Sequence, residues 1–210
     1  AIAITDHDTC AGVAPTRQAA AGKIEVITGI ELTCEYDQHE FHLLGYFFDS
    51  DNAELCQVLD TMRQARAARF DTMVQRLEAR GVSLPHDPTT MNARGTLGRR
   101  HLAEMLVKSK RVANVRQAFQ RYLGDAGTIQ APKQRVPVRQ GIELIRRAGG
   151  VAAWAHPSYH CSQQSLAQLH AWGLDAVEVD FPACKAGRAR ELRQWAQTLG
   201  MAVSGGSDCH

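Results

Sequence analysis

The 210-residue sequence contains no uninterrupted run of about 18 apolar residues. A membrane-spanning helix is therefore not expected. It also lacks a secretory opening, with its charged start, apolar stretch and small-residue cleavage site. Net charge is only +2, so the total gives no strong electrostatic case for DNA, RNA or a membrane surface, and no duplex DNA partner is expected. The six cysteines are scattered, with no C-x-x-C pair. That pattern points to reduced thiols in a cytoplasmic protein rather than to a disulfide framework. No G-x-S-x-G elbow occurs, and no G-K-[ST] follows Gly205-Gly206. A serine nucleophile on a strained turn and a P-loop are both excluded on that basis. Repeats and low-complexity tracts are absent as well. What remains, 44% hydrophobic and 22% charged, suits one or two globular domains.

Nine histidines are present, and their placement is informative. Ala1 to Ile4 reads as a strand buried on both faces, running directly into Thr5-Asp6-His7-Asp8-Thr9. The chain begins inside this strand, so a further N-terminal segment is expected. A helix follows to Gly22. A second strand, Lys23 to Thr28, leads to Gly29-Ile30-Glu31, with β structure continuing from Leu32 to Tyr36 and a turn near Asp37-Gln38. A third, Glu40 to Phe47, contains His42. From position 53 the apolar period becomes helical through Leu55, Leu59, Met62, Phe70, Met73 and Leu77. A loop over 85–96 and helices over 97–110 and 115–123 come next. Residues 53–136 are thus expected to form a helical insertion subdomain within an α/β unit made of 1–52 and 137–210. Helices and strands alternate again afterwards. Strands at 151–155, 176–179 and 201–203 alternate with helices at 140–148, 166–172 and 188–199. Such alternation predicts a parallel sheet or barrel, whose C-terminal strand ends line the site.

Those strand ends carry His7, Glu31, His42, His156, Asp208 and His210. Mixed imidazole and carboxylate donors suit Zn, Mn or Fe better than Mg or Ca. Gly205-Gly206-Ser207 reads as a tight turn. In an extended segment Asp208 and His210 would point to the same side. Any one of these residues is unremarkable alone; together at the ends of one sheet they predict a metal centre. Arg66 and Arg69 share a helix face, and guanidinium groups offer planar forks for phosphate. Arg63, Arg76 and Arg80 read as a solvated basic stripe.

T-D-H-D-T at 5–9, G-I-E at 29–31, H-E-F-H-L-L-G at 39–45, A-H-P at 155–157 and G-G-S-D-C-H at 205–210 resemble the PHP (polymerase and histidinol phosphatase) superfamily of metal-dependent phosphoesterases. The resemblance spans the chain in motif order. It implies an α/β fold, a distorted (β/α)7 PHP barrel with a helical insertion and a missing N-terminal strand. It also implies up to about three divalent ions, Mn, Zn or Fe. By position the metal ligands would be His7, Glu31, His42, His156, Asp208 and His210. Of these, His7, Glu31, His156 and Asp208 would serve catalysis through metal-activated water. Asp6 and Asp8 would orient a ligand or cap the next helix.

The insertion resembles that of nucleoside 3′,5′-bisphosphate phosphatases and related 5′→3′ exoribonucleases, implying that Arg66, Arg69, Arg99 and His101 bind substrate phosphate. The expected activity is removal of the 3′-phosphate of a small nucleotide. Alternatives are trimming of short RNA from its 5′ end, a histidinol-phosphate-type phosphatase and an inactive PHP-like module. The family's D-L-H-x-H-S opening does not occur in this sequence. Gly124-Asp125-Ala126-Gly127 departs from the G-R-G-K form of the bisphosphate phosphatases. Cys184 stands where related sequences often have His.

Overall fold

The computed structural model describes residues 1–84, 97–124, 129, 131–158 and 161–209. The expected loop over 85–96, Asp125 to Gly127 and His210 lie outside them. Two compact units are present, one of residues 1–58 with 135–210 and one of residues 59–134. No helix among the described residues is long and apolar enough to cross a membrane.

The first unit is a mixed α/β fold on one curled, seven-stranded sheet, in the order β1-β2-β3-β5-β6-β7 with β4 also on β2. The strands are β1 (Ile2–Ile4), β2 (Val26–Tyr36), β3 (His39–Tyr46), β4 (Val136–Pro137), β5 (Val151–Trp154), β6 (Ala176–Asp180) and β7 (Ala202–Gly205). Its helices are α1 (Val13–Ala20), α5 (Val138–Arg147), α6 (Gln163–Ala171) and α7 (Ala186–Leu199), while α2 (Ala53–Glu78) starts in this unit.

The expected parallel sheet or barrel gives way at β2 and β3, which pair antiparallel about the expected turn. Their turn is Asp37-Gln38, with φ of 50° and 64°. Two left-handed residues make a tight hairpin, and so short a link can only reverse the chain. β3 therefore also runs against β5. Helical crossovers then restore parallel pairing of β5 with β6 and of β6 with β7. The two-residue β4 was not expected. It adds at the edge of β2 beside Cys34 and Glu35, where Pro137 has no N–H to lose.

The two faces of the sheet are chemically different. On the outer face α5 packs tightly, because Gly141 and Gly45 carry no side chain. A Cβ at Gly141 would fall 2.8 Å from Cys34 Sγ, and one at Gly45 would fall 2.6 Å from Ile145 Cδ1. The inner face is lined by Leu44, Ala153, Ala155 and Ala176. Three alanines among these four leave room above them for the polar groups at the strand ends.

The second unit holds the rest of α2, α3 (Arg99–Lys108), α4 (Val115–Ala118) and a π-helical turn, Phe119–Leu123. Its core joins Phe70, Met73, Leu77, Leu102, Leu106 and Leu123.

Gly29 decides how closely β1 approaches. A Cβ there would lie 2.6 Å from the Ile4 carbonyl oxygen and 3.0 Å from Thr5 Cγ2. Because backbone cannot swing away, Gly29→Ala should force β1 off β2. A loss of about 1–3 kcal/mol, read as a lowered Tm, is the expected result. An unchanged Tm would mean that β1 does not lie against β2 in this way.

Candidate metal centre

Glu31 sits in β2 opposite Leu44, and two residues on, Thr33 pairs with His42. All four share the inner face, so Glu31 and His42 are diagonal neighbours across the hairpin. His42 Nδ1 lies 2.8 Å from Glu31 Oε1. At the end of β1 the main chain brackets Glu31: its N–H donates to Asp6 O at 3.1 Å, and its carbonyl accepts from Asp8 N–H at 2.9 Å. His7 is thereby held alongside, with Nδ1 3.6 Å from Oε2. His156, just past β5, brings Nε2 to 3.0 Å from Oε1. Three imidazoles from three separate segments therefore converge on one buried carboxylate.

Divalent cations fit the chemistry of this donor set. One nitrogen each of His7 and His42 and one oxygen of Glu31 all lie within 4.8 Å of one another. His42 Nδ1 and His156 Nε2 are 3.0 Å apart and aim at the same oxygen. Two protonated imidazole nitrogens facing each other repel, whereas two lone pairs and a carboxylate suit a shared cation. The far side of His42, Nε2, is 2.9 Å from Glu40 Oε1, the kind of carboxylate partner that fixes a ligating ring.

Burial alone would raise the Glu31 carboxyl. The hydrogen bonds from His156 and His42, with the charges of His7 and His42, instead hold it far below the usual carboxylate range. For His42, burial disfavours the imidazolium, but hydrogen bonds to Glu31 and Glu40 and their charges push its pKa up to about 9. His156 is raised too, against its burial, by the hydrogen bond and charge of Glu31.

Asp208 does not follow the extended geometry expected of it. Its φ is 45°, so strict alternation of sides does not hold there, and His210 lies outside the described residues. Asp208 does border, with His156, Phe181 and Arg188, a cavity of about 190 Å³. The expected turn at 205–207 begins later, since Gly205 still belongs to β7 and Gly206 N–H reaches Asp180 O at 2.9 Å. Asp8 is buried at the end of the segment that carries His7. Its buried carboxylate accepts from Thr33 N–H at 2.7 Å and Thr33 Oγ1 at 2.9 Å, pinning the His7 loop to β2. The Asp6 carboxylate lies over Gly12, 2.5 Å from where a Cβ would stand.

In the second unit, Arg69 Nε donates to Ala131 O at 2.9 Å and Arg99 Nη1 to Leu123 O at 3.2 Å. His101 Nδ1 accepts the Gly98 N–H at 3.2 Å, the N-cap bond of α3. The Arg66 guanidinium lies 3.9 Å from the Cβ position of Gly98. Exposed Arg63 pairs with Asp60. Sequence reasoning missed Glu40 and Glu178. The latter is buried and accepts the His156 N–H at 2.7 Å. A carboxylate inside the apolar run Ala176 to Val179 was the signal.

The chain resembles proteins of known kind along its whole length. It is 31% identical over 215 residues to a 5'-3' exoribonuclease of Haemophilus influenzae, covering 100% of this chain and 78% of the relative. It is 28% identical over 217 residues to a 3',5'-nucleoside bisphosphate phosphatase of Chromobacterium violaceum, covering 100% and 76%. A crystal structure described as that of a metal-dependent phosphoesterase from Bifidobacterium adolescentis superposes with a TM-score of 0.87. The identity there is 27%, over 98% of this chain and 76% of that one. No protein-family model matches.

Protons and metal ions compete for the same nitrogens. In the metal-free protein the raised His42 pKa contributes stability below the ordinary value of 6.5, and this is lost as pH rises through about 9. The lowered Glu31 contributes above its ordinary 4.5 and is lost only as pH falls through its depressed value. Between pH 6.5 and 9 the metal-free Tm should therefore fall, and the Tm gain on adding Mn²⁺ should grow. Thermal unfolding with EDTA and with Mn²⁺ measures this, and a gain independent of pH would contradict it.

Proposed function

Because the chain belongs to the PHP superfamily of metal-dependent phosphoesterases, we propose that it hydrolyses the 3′-phosphate of a nucleoside 3′,5′-bisphosphate. The observation that carries this is the meeting of His7, His42 and His156 around Glu31. His7, Glu31, His42, His156 and Asp208, with His210, are the residues we assign to hold divalent ions, Mn, Zn or Fe. Such ions, when bound, supply positive charge against phosphoryl oxygens and lower the pKa of coordinated water.

The chain's own groups do the arranging. Glu31, held ionised far below neutral pH, is the anionic centre between three imidazoles. Glu40 holds the His42 ring from behind, and Asp8 with Thr33 fixes the loop that carries His7. Arg66, Arg69, Arg99 and His101 are assigned to the substrate phosphate. Arg69 and Arg99 are each anchored to a backbone carbonyl, which presets the plane of the guanidinium fork.

A second reading, trimming of short RNA from its 5′ end, is favoured by the name of the Haemophilus influenzae relative. Both readings act on a nucleotide phosphoester.

With Mn²⁺ present, adenosine 3′,5′-bisphosphate should release phosphate steadily while 5′-phosphorylated oligoribonucleotides stay intact. Trimmed oligonucleotides without bisphosphate hydrolysis would favour the second reading. His156→Ala and Asp208→Ala should each cut kcat by about a thousandfold, on the scale of losing a preorganised charge at the reacting group. Arg99→Ala should chiefly raise KM. Wild-type turnover in the first two variants would reject the assignment.

A further inference from the structure

Glu178 is a buried carboxylate beside the centre with no role assigned above. It lies in β6, two residues after Ala176 of the inner-face core, and is 4% exposed. Burial tends to raise its pKa, while the His156 N–H and ring counter this. The geometry is more telling. The β5–β6 register pairs Ala153 with Ala176 and Trp154 with Val177, so the next position, Ala155, falls beside Glu178. Oε2 accepts the N–H of His156, one residue further on, at 2.7 Å. His156 has a φ of 29°, left-handed backbone that a residue with a side chain rarely adopts without outside support. On the other side, a Cβ at Gly206 would fall 2.6 Å from Glu178 Oε1. The carboxylate is thus wedged between the turn that carries His156 and the segment that leads to Asp208.

We propose that Glu178 is the residue that positions His156 in the metal centre. By holding the main chain of His156 in its left-handed turn, it sets the direction in which that ring leaves β5. His156 is then gripped at both ends, its N–H by Glu178 and its Nε2 beside Glu31 Oε1. An ionised acceptor makes the stronger hydrogen bond, and its loss leaves a donor that no neighbouring strand satisfies. Gly206 is glycine because the carboxylate occupies the space a side chain would need. The inference rests on the metal-centre reading above.

The test is Mn²⁺ titration of the full chain as wild type, Glu178→Gln, Glu178→Leu and Gly206→Ala, with the Tm of each metal-free protein recorded. Glu178→Gln keeps a carbonyl acceptor and should bind within a few-fold of wild type. Glu178→Leu should fold yet bind about 10–100-fold more weakly, the usual loss when a ligand's support is removed. Gly206→Ala, which displaces the carboxylate without deleting it, should also weaken binding. Wild-type affinity in Glu178→Leu, or equal losses in the Gln and Leu variants, would overturn the proposal. If Glu178→Leu does not fold, unchanged affinity in Gly206→Ala overturns it instead. A wild-type chain that binds no Mn²⁺ would reject the metal-centre reading itself.

Discussion

Two imidazoles at 2.8 and 3.0 Å from a single oxygen of Glu31, and a third at 3.6 Å from the other, form the interaction on which this molecule is organised. Glu31 is buried and its three rings are only partly exposed, so the attraction is stronger than at the surface, and so is the penalty for leaving any member alone. Removing one partner of such a buried pair typically costs about 3–5 kcal/mol. This mutual need makes the cluster a poor choice for stability and a good one for binding cations. Buried ligand nitrogens held around a carboxylate are already desolvated and oriented before any ion arrives.

The sheet supplies the convergence. A hairpin too short to do anything but reverse puts Glu31 and His42 on one face as diagonal neighbours. Gly29 lets β1 lie close enough for the Asp6 carbonyl and Asp8 N–H to clasp Glu31 from both sides. On the opposite flank Glu178 holds the turn of His156. Carboxylates thus support the site in three ways: Glu31 inside the ring cluster, Glu40 behind His42, and Asp8 and Glu178 on main-chain N–H groups. The alanine-rich inner face leaves space for them, while α5 fills the outer face with aliphatic bulk.

Kinship with metal-dependent phosphoesterases along the full chain ties the cluster to phosphoester hydrolysis. The arginines proposed to hold substrate phosphate belong to the second compact unit and the imidazole cluster to the first. Arg69 and Arg99 are tied to carbonyls of their own unit, so their orientation is inherited from its packing.

Much was legible from residue order alone. Apolar runs ending in His or Glu marked the strand ends, because a strand in an α/β sheet must be apolar until it leaves the core. Helical periods marked the insertion, since only one face of each helix is buried. His7 and His156 could be named for that reason, whereas Glu31 and His42 lie in mid-strand, inside β2 and β3, rather than at the ends expected of them. Direction and contact were not legible. The sense of β3 depends on two left-handed residues, Asp37 and Gln38, neither of them glycine. Asp208 leaves the extended region at a φ of 45°, which no side-chain alternation reveals. Asp8, expected to orient a ligand or cap a helix, binds Thr33, 25 residues away. Glu178 looked like one more strand residue until its partner across the sheet was known. Composition and spacing select which groups are present and where strands stop. Which atoms meet is decided only when distant segments pack, because a hydrogen bond between residues 22 or 125 apart has no local signature.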